Sequence, residues 1–521
     1  MTTVASWLPA AVTVAPFAAV IAIYALADRP DLREAASLLT AAGGFVGMLV
    51  IARSALSGVV LESALGQIVP GIGLTLRGDP LGVLFGVIAS GLWLITTLYS
   101  IGYMRGLAEH AQTRYYAAFA ASVGAAFGVA LSANLLALFI FYEVLTVATY
   151  PLVAHDQSPT AQAAGRKYLV YTFGGGVAVF VGTAALYLLT GTVAFTPGGI
   201  AALATVDAPV AQALFAVLIA GFGVKAALIP VHSWLPDAMV APTPVSGLLH
   251  AVAVVKSGVF GIARVILEVF GPARVDALGV GIPLAVVAAV TIVTASVIAL
   301  RRDNLKRRLA YSTISQLSYI VLGLALFSPA ALLGGLLHIP AHAFMKLTLF
   351  FCAGTIHVET HTDNISEMAG IGRRLPLTMG AFGVAVVGMA GLPLVAGFVS
   401  KWYLLIGTVD ADVPVFAGVL VISGLLNIAY FWPVVYQAFF ERPDAADRKP
   451  LITHRLGGEP VADGGSAAWE RRSPRAEASL FLLVPIVVAM TGAVLIGIIP
   501  AQLGLLGLLE QIVTAALEVG A

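Results

Sequence analysis

The chain has 521 residues, 59% of them hydrophobic and only 11% charged, with a mean hydropathy of +0.96. Soluble domains carry about 25% charged residues, so this chain lacks the polar surface for water and reads as a polytopic membrane protein. The net charge of +1 gives no electrostatic footprint for nucleic acid, and a single cysteine, Cys352, excludes an internal disulfide or a Cys-clustered metal or iron–sulfur site.

A helical span needs about 20 apolar residues. Fourteen candidates lie near 4–27, 35–52, 80–104, 115–132, 134–154, 168–190, 211–230, 245–270, 280–300, 309–327, 330–356, 376–407, 414–440 and 478–499. Residues 501–520 are apolar but hold Glu510 and Glu518, and read as an interfacial helix. The segment 441–477 is polar and rich in Pro and Gly, and reads as a cytoplasmic linker or partner-contact loop without chemistry of its own. The expected units are 1–104, 115–270, 280–440, 441–477 and 478–521.

Orientation follows from the cations. Four lysines, Lys225, Lys256, Lys346 and Lys401, lie inside spans. Of the other 24 Lys and Arg residues, 20 fall in loops after odd-numbered spans, and Arg53, Arg77, Arg264 and Arg274 are assigned to the opposite side. The positive-inside rule makes the odd loops cytoplasmic and turns both termini outward. The first apolar run has no positive segment before it and reads as a retained span.

A charge at mid-bilayer costs about 2.5–3.5 kcal/mol on insertion scales, so charges within apolar runs mark candidate function. They are Glu143, Lys225, Lys256 with His250 six residues earlier, the group His338, His342 and Lys346, and Lys401. Lys225, five residues before Pro230, could snorkel to an interface; Glu143 and Lys256 are central, and a static ion pair is their plain structural alternative. The i, i+4, i+8 spacing of 338, 342 and 346 puts the three on one helical face. Two histidines at i, i+4 could bind a metal, yet no acid or cysteine nearby completes a site; structural hydrogen bonding and a proton path remain. No metal and no cofactor is expected.

Helix breakers flank two of the lysines. Lys225 precedes Ile229-Pro230, Lys401 follows Gly391-Leu392-Pro393, and the two lysines are 176 residues apart. Broken helices in lipid persist where they line a cavity, and in transporters they recur in paired repeats. Two inverted five-span repeats, 115–270 and 280–440, would put each break in the fourth span. The expected fold is an all-α polytopic membrane protein of about 14 transmembrane helices, with one broken helix per repeat.

At HSWLPDAMVAPTPVSGLLHAVAVVKSG (232–258) the chain resembles the antiporter-like family of complex I proton-pumping subunits and large Mrp-type Na+/H+ antiporter subunits. Further matches are FYEVLTVATYPLVAH (141–155), LKRRLAYSTISQLSY (305–319) and HAFMKLTLFFCAG (342–354). Within the family it most resembles the D-type branch of the large Mrp subunits. The resemblance implies proton transfer through Glu143, Lys225, Lys256 and Lys401, with His250, His338, His342 and Lys346 on the polar path between them. From the residues themselves, Pro230, Asp237 and Pro393 are the helix-break and gating candidates; Asp237 either gates proton entry or caps a half-helix, the favoured reading. Glu143 and Lys225 are expected to form a switchable ion pair, worth about 4 kcal/mol at 4 Å and an effective dielectric near 20.

Three functions compete. The first is membership of a multisubunit Na+/H+ antiporter in the cell membrane, with other hydrophobic subunits as partners. The second is a proton-pumping role in a redox complex such as complex I or a membrane-bound hydrogenase. The third is a passive scaffold. None makes the chain an enzyme by itself.

Overall fold

A computed structural model describes residues 1–441 and 477–518, with the short strands Leu451–Ile452 and Pro460–Val461 between them. The loop reading of 441–477 therefore falls, its ends and these two strands apart, outside the described residues. The chain opens on strand β1 (Thr2–Ala5), paired in parallel with β2 (Val59–Val69), and β3 (Ile72–Arg77) runs antiparallel to β2. This three-stranded sheet departs from the all-α expectation. It uses the β-branched run at 59–60 and a turn at Gly71, whose φ of +88° suits glycine.

Helices α1 (Leu8–Ala25) and α2 (Pro30–Leu56) lie between β1 and β2, and α2 continues past Arg53, beyond the expected end at 52. Next come α3 (Pro80–Gly106), α4 (Gln112–Leu131), α5 (Leu135–Val153), α6 (Pro159–Thr190) and α7 (Ala208–Lys225). Their starts are written locally. Asp79, Asn134 and Ser158 accept from the backbone N–H of Gly82, Ala137 and Ala161 at 2.8, 2.8 and 3.2 Å, satisfying donors that a helix start leaves bare.

The chain then becomes irregular. Short helices α8 (Trp234–Asp237) and α9 (Thr243–Gly247) precede a π-helical turn at Leu248–Val252. Helix α10 (Val254–Arg264) follows, then a second π turn at Val265–Phe270 and the short α11 (Pro272–Ala277). Regular helices resume with α12 (Gly281–Leu300), α13 (Leu305–Ala325) and α14 (Pro329–Thr360). After them come α15 (Pro376–Ala390), α16 (Ala396–Asp410), α17 (Val415–Phe440), α18 (Leu480–Ile498) and α19 (Leu505–Glu518).

Among the described residues eleven helices are long and apolar enough to cross a membrane, each coinciding with one expected span. The other three expected spans coincide with the α9–α10 segment and its π turns, with the Ser- and Gln-bearing α13, and with α15 and α16, separated at 391–395. The chain is a multi-pass membrane protein. Helix α14 is its central post, almost wholly buried and in contact with α3, α9, α13, α15, α16 and α18. Outward faces are apolar: α6 exposes Val170, Val177, Val181 and Leu188, and α12 exposes Ile282, Val286 and Val290. Such stripes suit lipid, not water.

Arg264 corrects the charge map. It is fully buried at the end of α10, with Asp79 at 3.0 Å and Glu268 in a close ion pair on either side. It is a core cation, not a loop one; the cation asymmetry between the two sides is larger for its removal.

Candidate functional site

In the first half, α7 ends at Lys225 and the backbone turns away at once. Ala227 takes a φ of +57°, and the Trp234 indole N–H donates to the Val224 carbonyl at 2.9 Å, closing the broken segment that carries Pro230. Lys225 is fully buried. Its ammonium donates to the Tyr142 carbonyl at 2.5 Å and lies 3.3 Å from the centroid of the Tyr142 ring. Glu143 is the next residue along α5, but among the described residues no ion pair joins it to Lys225, and neither of its carboxylate oxygens has a hydrogen-bond partner. The expected pair is thus open in this conformation: the lysine has chosen a carbonyl and a ring face over the carboxylate.

The centre of the molecule holds a linked set. Lys256, on α10 between the two π turns, reaches α14, where its Nζ lies 2.9 Å from His342 Nδ1 and 3.2 Å from the Ile339 carbonyl. The His342 ring is 5.9 Å from that of His338, one turn earlier. His338 Nε2 lies 3.0 Å from Gln316 Oε1, an acceptor, so this nitrogen donates; Nδ1 then accepts from the Ser400 hydroxyl at 2.8 Å. Tyr319 stacks on His338 at 5.4 Å, and Lys401 Nζ lies 5.0 Å from the centroid of the same tyrosine. Gln316 Nε2 continues to Asn427 at 3.4 Å. Lys256, His342, His338 and the approach to Lys401 thus form one buried polar line through an apolar core.

The remaining expected residues take other positions. Lys346 donates to the Leu309 carbonyl at 3.0 Å, beside the line. His250 lies over Phe350 at 4.8 Å, and neither ring nitrogen has a partner. Lys401 donates back to the Met389 carbonyl at 2.5 Å across the Gly391–Val395 break that contains Pro393. Gly391 there has a φ of +87°, and the lysine stem lies over it where a Cβ would come within 2.8 Å. Lys225 sits before its break and Lys401 after, so the two occupy opposite sides of matching interruptions. Asp237 makes no capping hydrogen bond; it pairs with Lys167 at 2.7 Å, which overturns the cap reading.

Sequence reasoning missed Gln316, Ser400, Tyr319 and Asn427, neutral polar residues that carry no charge signal. It also missed the Asp79–Arg264–Glu268 cluster, although Arg264 and Glu268 both fell inside the expected 245–270 span.

A cavity of about 540 Å³ opens at the ends of α3, α5 and α14, lined by Glu109, His155, Lys306, His357 and Asp363 among others. Asp363 lies outside the spans. Burial pushes its carboxyl up, but the hydrogen bond from His357 at 3.0 Å and the nearby Lys306 outweigh this and hold it below the ordinary carboxylate value.

The comparisons agree with this architecture. Residues 132–427, more than half of the chain, match the family described as NADH:quinone oxidoreductase/Mrp antiporter, TM. The chain is 34% identical over 441 residues to the N subunit of an NADH-quinone oxidoreductase of Desulforudis audaxviator, covering 83% of this chain and 84% of that protein. It is 33% identical to the A/B subunit of a probable K(+)/H(+) antiporter of Rhizobium meliloti, over 73% of this chain but only 38% of that protein. It is 35% identical to the A subunit of a Na(+)/H(+) antiporter of Alkalihalophilus pseudofirmus, over 64% of this chain and 42% of that protein. In fold it is similar to a chain of an archaeal membrane-bound sulfane sulfur reductase (TM-score 0.83, 22% identity, 99% of both chains). A chain of the Mrp complex of Dietzia is similar too (TM-score 0.80, 23% identity, 98% of this chain and 97% of that one). The chain belongs to the NADH:quinone oxidoreductase/Mrp antiporter transmembrane family.

Proposed function

We propose that the chain is the proton-translocating subunit of a multisubunit cation/proton antiporter, moving protons along its buried Glu, Lys and His groups in exchange for Na+. The observation that carries the reading is the contact of Lys256 with His342, which links the two halves by a proton-capable pair 2.9 Å apart. In this scheme Glu143 and Lys225 alternate between the open arrangement and an ion pair. Closure holds the proton on Lys225, because a neighbouring carboxylate favours the ammonium; each opening leaves the buried lysine to release it, and the proton passes towards Lys256, His342, His338 and finally Lys401. The cation-rich loops face the cytoplasm, both termini face outward, and the membrane is the cell membrane. Other hydrophobic subunits complete the complex.

A second reading, a proton-pumping membrane subunit of a redox complex, is favoured by one specific observation: the match to the NADH-quinone oxidoreductase relative covers 84% of that protein, whereas the antiporter matches cover less than half of theirs. Partners separate the two. Mild-detergent purification of the tagged chain from its own membrane, with mass spectrometry of what accompanies it, should return small hydrophobic subunits. Recovery of flavin or iron–sulfur proteins instead would make the chain part of a redox-driven pump and remove Na+ exchange from the scheme.

A further inference from the structure

Outside the buried line, three metal-ligating side chains converge where the α3–α4 loop meets the end of α5. Glu109 Oε2 lies 3.7 Å from His110 Nδ1 and 3.9 Å from His155 Nε2. The ligand atoms of the three all fall within 4.8 Å of one another. For a tetrahedral ion with bonds of about 2.1 Å the ligand atoms stand roughly 3.4 Å apart, so closure needs the separations to shorten by roughly 0.3 to at most 1.4 Å.

The hydrogen bonds already orient the donors. His110 Nε2 lies 3.0 Å from the His155 carbonyl, which can only accept, so Nε2 carries the proton and the Nδ1 lone pair is left facing Glu109. A ligand histidine held by its second nitrogen on a carbonyl is the usual support for a metal site. The same carbonyl accepts from Arg114 at 2.8 Å, and the Glu109 carbonyl accepts from Gln112 at 3.1 Å. His155 is 1% exposed, and neither ring nitrogen has a hydrogen-bond partner. A buried polar group left this way carries a desolvation cost with no return. Ala108 and Ala111 take φ values of +50° and +49°, a conformation that L side chains adopt reluctantly, on either side of the Glu109-His110 pair.

We propose that Glu109, His110 and His155 form a binding site for a divalent transition-metal ion of the zinc class, with water as the fourth ligand. Two imidazoles and one carboxylate suit a borderline ion better than Mg2+ or Ca2+, which take oxygen ligands. Three protein ligands leave one position open, as in zinc sites that exchange ligands. The site borders the cavity lined by Lys306 and Asp363, so an ion held there adds positive charge at that opening.

The test is direct binding, which does not depend on what the chain transports. The full-length chain in detergent is titrated with Co2+ as a spectroscopic probe, with Zn2+ as competitor. The proposal expects one saturable Co2+ site with the visible absorption of four-coordinate nitrogen and oxygen ligation, displaced by Zn2+. His110→Ala, at a half-exposed position that should fold, weakens it at least about tenfold, since even outer-shell changes at metal sites cost 10–100-fold; the H110A/H155A double variant abolishes it. Absence of saturable binding in the folded wild type, or binding retained in full by the correctly folded H110A variant, would overturn the site.

Discussion

At the scale of single residues, the chain uses charge sparingly and supports it with neutral partners. Lys225, Lys256, Lys346 and Lys401 each donate to a backbone carbonyl, so each buried ammonium keeps a partner that moving a proton does not remove. His338 is held at both nitrogens, and its orientation depends on Ser400. Ser400→Ala leaves Nδ1 without its donor. One buried hydrogen bond is worth about 1 kcal/mol, so proton transfer in reconstituted vesicles should slow by roughly fivefold; an unchanged rate would detach Ser400 from the path. Glu143 is the one acid among the proposed transfer groups. Glu143→Gln should abolish proton-coupled exchange at unchanged membrane abundance, and wild-type exchange in that variant would remove Glu143 from the scheme. The charged members of the set were legible in the sequence because a lysine inside an apolar run stands out. Gln316, Ser400, Tyr319 and Asn427 were not, since polar neutral residues in membrane helices are common and only the fold shows which ones face His338.

At the scale of elements, interruptions place the lysines. Helix α7 stops at Lys225, α10 lies between two π turns, and α16 begins after the 391–395 break. Proline and glycine announced the breaks at 229–230 and 391–393, whereas the π turns had no sequence signal beyond the polar groups beside them. The mispaired expectation for Asp237 has the same origin: the Leu-Pro-Asp turn resembles a cap locally, but Lys167 from α6 is 70 residues away in sequence and takes the carboxylate. Helix α10 approaches the first break through Gly258. A Cβ there would lie 2.7 Å from the Lys225 carbonyl carbon and 2.9 Å from the Phe222 carbonyl oxygen, both backbone atoms that cannot rotate away. Gly258→Ala should therefore destabilise the fold by about 1–3 kcal/mol, read as a lower Tm in detergent; an unshifted Tm would contradict this packing. Arg264→Met would take from Glu268 its ion-pair partner and leave Asp79 with Arg77 at 3.6 Å as its cation. Breaking such a cluster costs about 3–5 kcal/mol, so the variant should be recovered at much lower yield of folded protein, and normal yield and Tm would mean the cluster is not stabilised by its charges.

At the scale of the whole molecule, hydropathy alone gave the membrane class and the position of eleven helices, because lipid demands long apolar runs. The N-terminal sheet escaped that reading: β2 and β3, of 11 and 6 residues, are mixed in polarity and sit between spans, where a ruler for apolar runs of about 20 residues has no resolution. The polar line also belongs to this scale, since Lys256 lies in the first expected repeat and His342 in the second. Their contact is a tertiary fact that no local pattern contains, and it is the one place among the described residues where a residue of the first half hydrogen-bonds to the histidine face of the second. The most direct test of the account is proton movement through the assembled complex in sealed vesicles, comparing wild type with Lys256→Met at equal incorporation. The account predicts at least a tenfold loss of proton-coupled transport while the complex still assembles. Transport at the wild-type rate would show that protons cross without this bridge, and the buried line would be structural.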